Sequence, residues 1–434
     1  MDKFNFSSRF PIHRNGGKVE LEKLKDMKCV KCTAIYPHDS QLYRCPKCEG
    51  ILEVRYNYEA VAESVTRKFL EPSGHSSLWK YFDLLPIHRR ESIVSLNEGR
   101  TELIDAKKIS RGFGLRKLYV KNETRNPTGS FKDRPNTVGI SKAVEFGASR
   151  VAIASSGNAA GSLSAYAAKA GIECIVAVPA NVPFAKLMQI AIFGSKIVKV
   201  KGTYSNAFNL IRAACAKYNW HNLTSVSTAN PYQGEGDKTV AYELVEQLER
   251  ETPDWVVIPL GAGPLLVGAW KGFNEMLELG LIDNLPKMIG VQAEGCAPIV
   301  RGFKEGKEDV TAWDTPTTIA HSISDPLVGY EQDGTLTLKC IRESHGYAES
   351  VNDSEMLEAV QLLAKDEAVF AEPSAAASVA VVKKLIHAGV IGADDTVVAL
   401  VTGTGLKSPE IMKGQVEPPE IEPDLRVLEE LVRN

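Results

Sequence analysis

From Leu118 onward the chain alternates short apolar runs with longer stretches whose apolar positions recur every three to four residues. The short runs have the length of buried strands, and the longer spacing is the period of helices that cover them. Strands are therefore expected at Leu118, Tyr119 and Val120, then at 151–154, 174–178, 196–200, 255–260 and 396–401, with another near 290–294. Helices are expected at 135–146, 159–170, 185–193, 204–217, 238–250, 264–277 and 353–366, and from Glu372 through a run of alanines. Gly171 stands where a helix end needs a left-handed residue, and Pro264 suits a first helical position. Strands and helices in this order predict an α/β fold of βαβ units, with parallel sheet covered on both faces. Ligands of such sheets sit outside the carboxyl ends of the strands, so the strand-to-helix turns are where chemistry should be sought.

The region before Leu118 reads differently. Cys29-Val30-Lys31-Cys32 and Cys45-Pro46-Lys47-Cys48 are two C-x-x-C knuckles separated by twelve residues. Each offers two sulfurs at the spacing of a tetrahedral metal site, and neighbouring lysines favour the thiolate. A structural zinc ribbon over 20–60 is expected, because so small a segment gains its folding energy from the metal. Four reduced thiols or a disulfide pair is the alternative. With Cys29, Cys32, Cys45 and Cys48 as ligands, no open position remains for metal catalysis. Residues 56–80 read as a helix that passes into a linker at Pro72-Ser73-Gly74. The main domain is expected to span 78–415, followed by a Pro/Glu-rich tail, 416–434, holding a candidate amphipathic helix from Leu425 to Val432.

Composition narrows the function classes. The chain has 434 residues, 44% hydrophobic and 24% charged, which is globular, and its net charge of -3 makes no case for nucleic acid or an anionic membrane as partner. The first 18 residues are polar and broken by Pro11 and Gly16-Gly17, unlike a signal peptide, and no later apolar run spans a bilayer. A cytoplasmic protein is expected, and a homodimer on the general frequency of such assemblies. Cys174, Cys215, Cys296 and Cys340 are scattered singly in apolar segments, as small core residues are.

Three turns carry candidate chemistry. In N-P-T-G-S-F-K-D-R-P, 126–135, Lys132 sits at or just before the positive end of a helix, which disfavours an ammonium relative to the neutral amine. A neutral amine is what a Schiff base with an aldehyde requires, although a solvated lysine in a capping loop has the same local sequence. Ser130 with Asp133 has capping-box spacing, whereas Pro135 places the helix start slightly later. The second turn is Ser155-Ser156-Gly157-Asn158. The third, Gly261-Ala262-Gly263-Pro264-Leu265, opens a helix whose free amides suit a phosphate, but it matches neither the dinucleotide fingerprint nor a P-loop.

Together the motifs resemble the pyridoxal-phosphate enzymes of the tryptophan-synthase-β fold, above all the threonine synthase family. The matching pieces are N-P-T-G-S-F-K-D-R at 126–134, S-S-G-N at 155–158, N-P-Y with E-G-x-K-T at 230–239, the glycine loop at Gly261, E-P-S-A-A at 372–376 and T-G-x-G-L-K at 402–407. The resemblance implies two open, mostly parallel α/β subdomains with a small zinc-ribbon-like segment ahead of them. It implies that Lys132 holds pyridoxal 5'-phosphate covalently and moves protons on an amino-acid substrate. It further implies that Asn158 bonds the cofactor's phenolic oxygen, that 261–265 cradle its phosphate and that Thr402 faces its ring nitrogen. Ser155, Ser156 and Gly157 would then hold the substrate carboxylate.

The implied reaction is a lyase reaction, O-phosphohomoserine and water giving threonine and phosphate. Two departures bear on it. Gln233 stands where the family usually has a phosphate-gripping arginine, and Ser227-Thr228 stand where it usually has Asn-Ser. The glycine loop is closer to that of serine and threonine dehydratases. A neutral amide does not replace a charged fork, so Arg100, Lys186, Lys238 or Lys407 would have to supply the missing charge. A serine/threonine ammonia-lyase or a cysteate synthase is the alternative on the same cofactor. A zinc-ribbon interaction protein with an inactive catalytic fold would need the reactive lysine to be lost, and Lys132 is present.

Overall fold

A computed structural model describes residues 22–70, 77–180, 182, 184–202, 204–409 and 418–433. The first 18 residues, the Pro72-Ser73-Gly74 break, the side chain of Lys186, and the first two residues and the last of the tail lie outside the described residues. The expected alternation is present in two sheets. One has four parallel strands in the spatial order Lys196–Val200, Glu173–Pro179, Arg150–Ala154 and His221–Asn222. The other has six, ordered Tyr347–Val351, Lys287–Ala293, Trp255–Pro259, Thr396–Val401, Lys117–Asn122 and Leu103–Asp105, and only the last is antiparallel.

The six-stranded sheet is dry on both sides. Val256, Ile258, Val398 and Leu400 belong to one buried cluster, whereas Val257, Val397, Ala399 and Val401 belong to another, as the two-residue period of a strand requires. That explains the uninterrupted apolar runs in the sequence. Helix Asn158–Ala170, with its small residues buried, packs against strand Glu173–Pro179, and it ends at Gly171 with φ 69°. Helix Pro373–His387 packs Ala375, Ala376 and Ala377 into the core with no exposure.

The small strand Leu103–Asp105 and the two-residue strand His221–Asn222 carry no periodic signal, being too short to show one. Helix Asp133–Glu145 starts without the expected capping box. The Asp133 carboxylate instead accepts from the amide and hydroxyl of Thr128, at 2.7 and 2.6 Å, and from Ser162 at 2.6 Å. The turn is thereby closed on itself, and Ser130 Oγ is buried without a partner among the described residues.

Ahead of these sheets, Ile35–Tyr36, Leu24–Cys29 and Leu52–Tyr56 form a three-stranded antiparallel sheet around the cysteine knuckles. Among the described residues, no helix is long and apolar enough to cross a membrane. Helix Leu425–Arg433 is amphipathic as expected and exposed along its length.

Candidate active site

Five turns leave the carboxyl ends of parallel strands and meet at one cavity of about 650 Å³. Its wall includes Lys132, all four residues of the 155–158 turn, Ser225, the glycine turn 261–265 and Thr402. Every residue assigned a cofactor or substrate role on sequence grounds therefore lies on a single surface, drawn there by strands of two different sheets.

Lys132 ends the turn that precedes its helix. Gly129, at φ 76°, lets that turn pass Thr404, whose Cγ2 would lie 2.8 Å from an added Cβ. Phe131 donates its amide to the Thr402 carbonyl at 2.9 Å, and Thr404 donates to the Gly129 carbonyl at 3.0 Å. The lysine turn and the Thr402 turn are thus stitched together side by side. Lys132 Nζ lies 3.1 Å from Ser225 Oγ and 4.5 Å from the Phe131 ring centre. Burial lowers the pKa of this amine, and the carboxyls of Asp237 and Asp325 draw it partly back. Lys132 also caps helix Asp133–Glu145, as its sequence position implied. Both carboxyls are themselves raised by burial, Asp237 to about 7.

Behind the lysine lies an ion cluster without solvent access. Arg134 donates to Glu123 at 2.7 and 2.8 Å and to Glu243 at 2.6 and 2.8 Å. Lys121 donates to Glu243 at 2.7 Å and to the Thr101 carbonyl at 2.8 Å. Two cations and two anions balance, and the fork of Arg134 ties the start of the lysine helix to Glu123, which follows strand Lys117–Asn122.

The glycine turn fits a phosphate group. It opens helix Pro264–Glu278, with Pro264 at the first position and Gly263 as cap at φ 100°. A Cβ on Gly263 would lie 2.0 Å from Thr337 Oγ1, so only glycine allows this backbone. A helix start leaves its first amides without intrahelical partners, which is the donor set an anion needs. Gly263→Ala should consequently weaken cofactor binding by at least about tenfold, since left-handed backbone and a steric clash coincide there. Titrating the variant with pyridoxal phosphate by absorbance measures this.

Asn158 is the first residue of its helix. Its Nδ2 donates to Glu372 Oε1 at 2.9 Å, while Lys407 Nζ donates to its Oδ1 at 3.0 Å. Lys407 and Asn158 also line a recess that adjoins the main cavity at Ser156, His321 and Ser322. Of the cations weighed on sequence grounds whose side chains are described, Arg100, Lys238 and Lys407, it is Lys407 that is set beside the cavity. Lys238 is buried between Glu235 at 2.7 Å and Glu275 at 2.9 Å.

Gln233 is buried and is not on the cavity wall. Its Nε2 donates to Asn136 at 3.1 Å and to the Leu223 carbonyl at 3.3 Å. The amides of Ser227 and Thr228 are taken by the Asp333 carboxylate, at 2.5 and 3.2 Å. The backbone amides of residues 227 and 228 and the side-chain nitrogen of Gln233 are therefore already engaged within the protein. Sequence reasoning does not single out Ser225, Asp237 or Asp325. No local pattern marks them, because each matters only through its distance from Lys132.

At the N-terminal sheet, Cys29, Cys32, Cys45 and Cys48 bring their sulfurs within 4.8 Å of one another. Cys29 and Cys48 lie 3.5 Å apart and Cys32 and Cys45 3.6 Å apart, close to the roughly 3.8 Å between sulfurs of a tetrahedral zinc site. None is in a disulfide, and the arrangement fits a zinc ion.

Residues 94–403 match the family model described as pyridoxal-phosphate dependent enzyme. The chain is 40% identical over 408 residues to threonine synthase of Methanocaldococcus jannaschii, covering 94% of this chain and 99% of that one. It is 41% identical over 396 residues to threonine synthase of Methanosarcina acetivorans, covering 91% and 95%. Maize serine racemase superposes with a TM-score of 0.63 at 20% identity, over 75% of this chain and 95% of its own, which shows a shared fold. A partly buried lysine among these turns and full-length similarity of this degree make the protein a pyridoxal-phosphate-dependent lyase, and the chain belongs to the threonine synthase family.

Proposed function

We propose that the enzyme converts O-phosphohomoserine and water into threonine and inorganic phosphate. The observation that carries the reading is the desolvated Lys132 amine, 3.1 Å from Ser225 Oγ, on the wall of a cavity shared with the glycine and S-S-G-N turns. The relatives named threonine synthase over nearly the whole chain support it.

In this reading the 261–265 turn holds the phosphate of pyridoxal 5'-phosphate, Asn158 bonds its phenolic oxygen and Thr402 meets its ring nitrogen. The cofactor supplies an electron sink beside the substrate's amino group, and a neutral hydroxyl at the ring nitrogen suits elimination and replacement chemistry. Lys132 takes and returns protons at the α and β carbons, a task that needs its amine neutral in part of the cycle. Ser225 Oγ is an uncharged hydrogen-bond partner that keeps the amine aimed into the cavity without stabilising its charge as a carboxylate would. Residues 155–157 hold the substrate carboxylate, and Lys407 faces the anionic groups of the substrate from the adjoining recess. The four cysteines hold zinc in a structural role.

One observation favours a second reading. Gln233 is turned inward and Asp333 occupies the amides of Ser227 and Thr228, so a substrate without a phosphate group would also be accommodated. Purified enzyme should release phosphate from O-phosphohomoserine at least about tenfold faster than it releases ammonia from threonine or phosphate from phosphoserine with sulfite, given the discrimination a polar site achieves. Ammonia from threonine as the main product would assign the ammonia-lyase reaction instead.

A further inference from the structure

The cysteine ribbon is fastened to the catalytic body at several places, among them Tyr56 on Glu235, Lys271 on the Val54 carbonyl and Lys23 on the Phe82 carbonyl, and one of the segments it holds carries the partner of Lys132. Between the two knuckles, the Tyr43 hydroxyl bonds His221 Nδ1, and Gln41 Nε2 lies 3.1 Å from His221 Nε2. Arg44 donates from Nε to the Thr228 carbonyl, and Tyr232 donates its hydroxyl to the Ser40 carbonyl at 2.9 Å. Residues 40–44 therefore hold both ends of 221–232, and Ser225 lies between those ends. From within the catalytic body, Asp333 takes the amides of Ser227 and Thr228, and Thr224 Oγ1 accepts the Ala154 amide at 3.1 Å, next to the 155–158 turn. Ser225 thus hangs from a segment clamped by the ribbon and the catalytic body together.

The ribbon has little of its own with which to hold its half of the clamp. Its buried side chains form two small groups, Leu24, Met27, Val54 and Tyr56 with Tyr232 of the catalytic body, and Cys29 and Cys45 with Leu52. Residues 40–44 lie in the loop between Cys32 and Cys45, which a metal on the four sulfurs would close.

We infer that the four-cysteine centre is a positioning element of the active site: a metal on its sulfurs orders residues 40–44, these fix 221–232, and Ser225 is thereby held against Lys132. The inference rests on Lys132 being the reactive amine. A ribbon that merely adds stability would affect unfolding and nothing at the lysine.

The test uses the full-length holoenzyme carrying Arg44→Ala with Tyr43→Phe, which leaves all four cysteines in place, alongside wild type stripped of metal by a chelator. With zinc content unchanged, the double variant should lose roughly ten- to a hundredfold in kcat, the range expected when a catalytic contact is misplaced by about 1 Å. Amide hydrogen exchange should rise in 221–233, and the pH midpoint of the bound cofactor's visible absorbance should shift. Ser225→Ala should reproduce the absorbance shift and should not add to the double variant's loss. Metal removal should act in the same direction, and the double variant decides the matter if stripped protein unfolds. If borohydride traps the cofactor on Lys132 in wild type, yet kcat, absorbance titration and exchange in 221–233 are unchanged in the double variant, the coupling is wrong. Failure of that trapping in wild type would overturn the assignment of Lys132 itself.

Discussion

Lys132→Ala should abolish turnover, by at least about a thousandfold, because it removes covalent attachment together with a proton-transfer group worth about 10²–10⁴-fold alone. The protein should nevertheless fold. The ammonium of Lys132 is disfavoured by burial, its side chain has Ser225 as hydrogen-bond partner, and burial raises the Asp237 and Asp325 carboxyls that act on it, which favours their neutral forms once the amine is gone. The thermal midpoint is expected to stay within a few degrees of wild type, while borohydride no longer fixes the cofactor to the chain. Mass spectrometry of reduced wild type and variant, with rates of phosphate release, checks both. A variant that stayed active or remained covalently labelled would place the reactive amine elsewhere.

Arg134→Leu is expected to have the largest effect on stability, about 3–5 kcal/mol, the usual cost of removing one partner from a buried ion pair. The Arg134 guanidinium is fully buried and engages both Glu123 and Glu243, so the variant leaves two carboxylates in a dry site with Lys121 to balance both. Denaturant unfolding measures the loss. The same cluster predicts a pH response. Burial would raise the Glu243 carboxyl, but Arg134 and Lys121 outweigh it and hold its pKa well below the ordinary value of 4.5. A carboxyl depressed in the folded state contributes stability that is present above its unfolded pKa and lost as pH falls toward the folded one. Wild type should therefore lose stability steeply on acidification below about pH 4.5. Glu243→Gln should start less stable at neutral pH and show a shallower acid slope; an equal slope would mean that this carboxylate does not sense its partners.

Legibility in the sequence follows the range of the forces involved. The strands expected at 196–200 and 396–401 coincide with Lys196–Val200 and Thr396–Val401, because apolar runs between turn residues carry that information locally. Helix Asp353–Glu367 likewise follows its periodicity and carries a capping box between Asn352 and Glu355. The box expected at Ser130 and Asp133 does not form, although its spacing is equally good. There Asp133 finds Thr128 and Ser162, the latter a partner outside its own turn.

The candidate site divides in the same way. Lys132, the glycine turn and the S-S-G-N turn are contiguous motifs, so each can be read where it stands. Ser225 cannot, since it gains meaning only by lying 3.1 Å from a lysine 93 residues away. Gln233 stands in the sequence as a group facing a substrate, and only packing against Asn136 and Leu223 turns it inward.

What the chain's residues determined by themselves is the order of strands and helices, the Lys132 turn, the glycine turn and the cysteine quartet, all encoded over a few neighbouring positions. Which polar groups meet that lysine, which way Gln233 points and what the cysteine ribbon leans on were decided by tertiary structure. Those contacts join residues far apart in sequence, and burial makes their pairing obligatory where no local pattern can specify it.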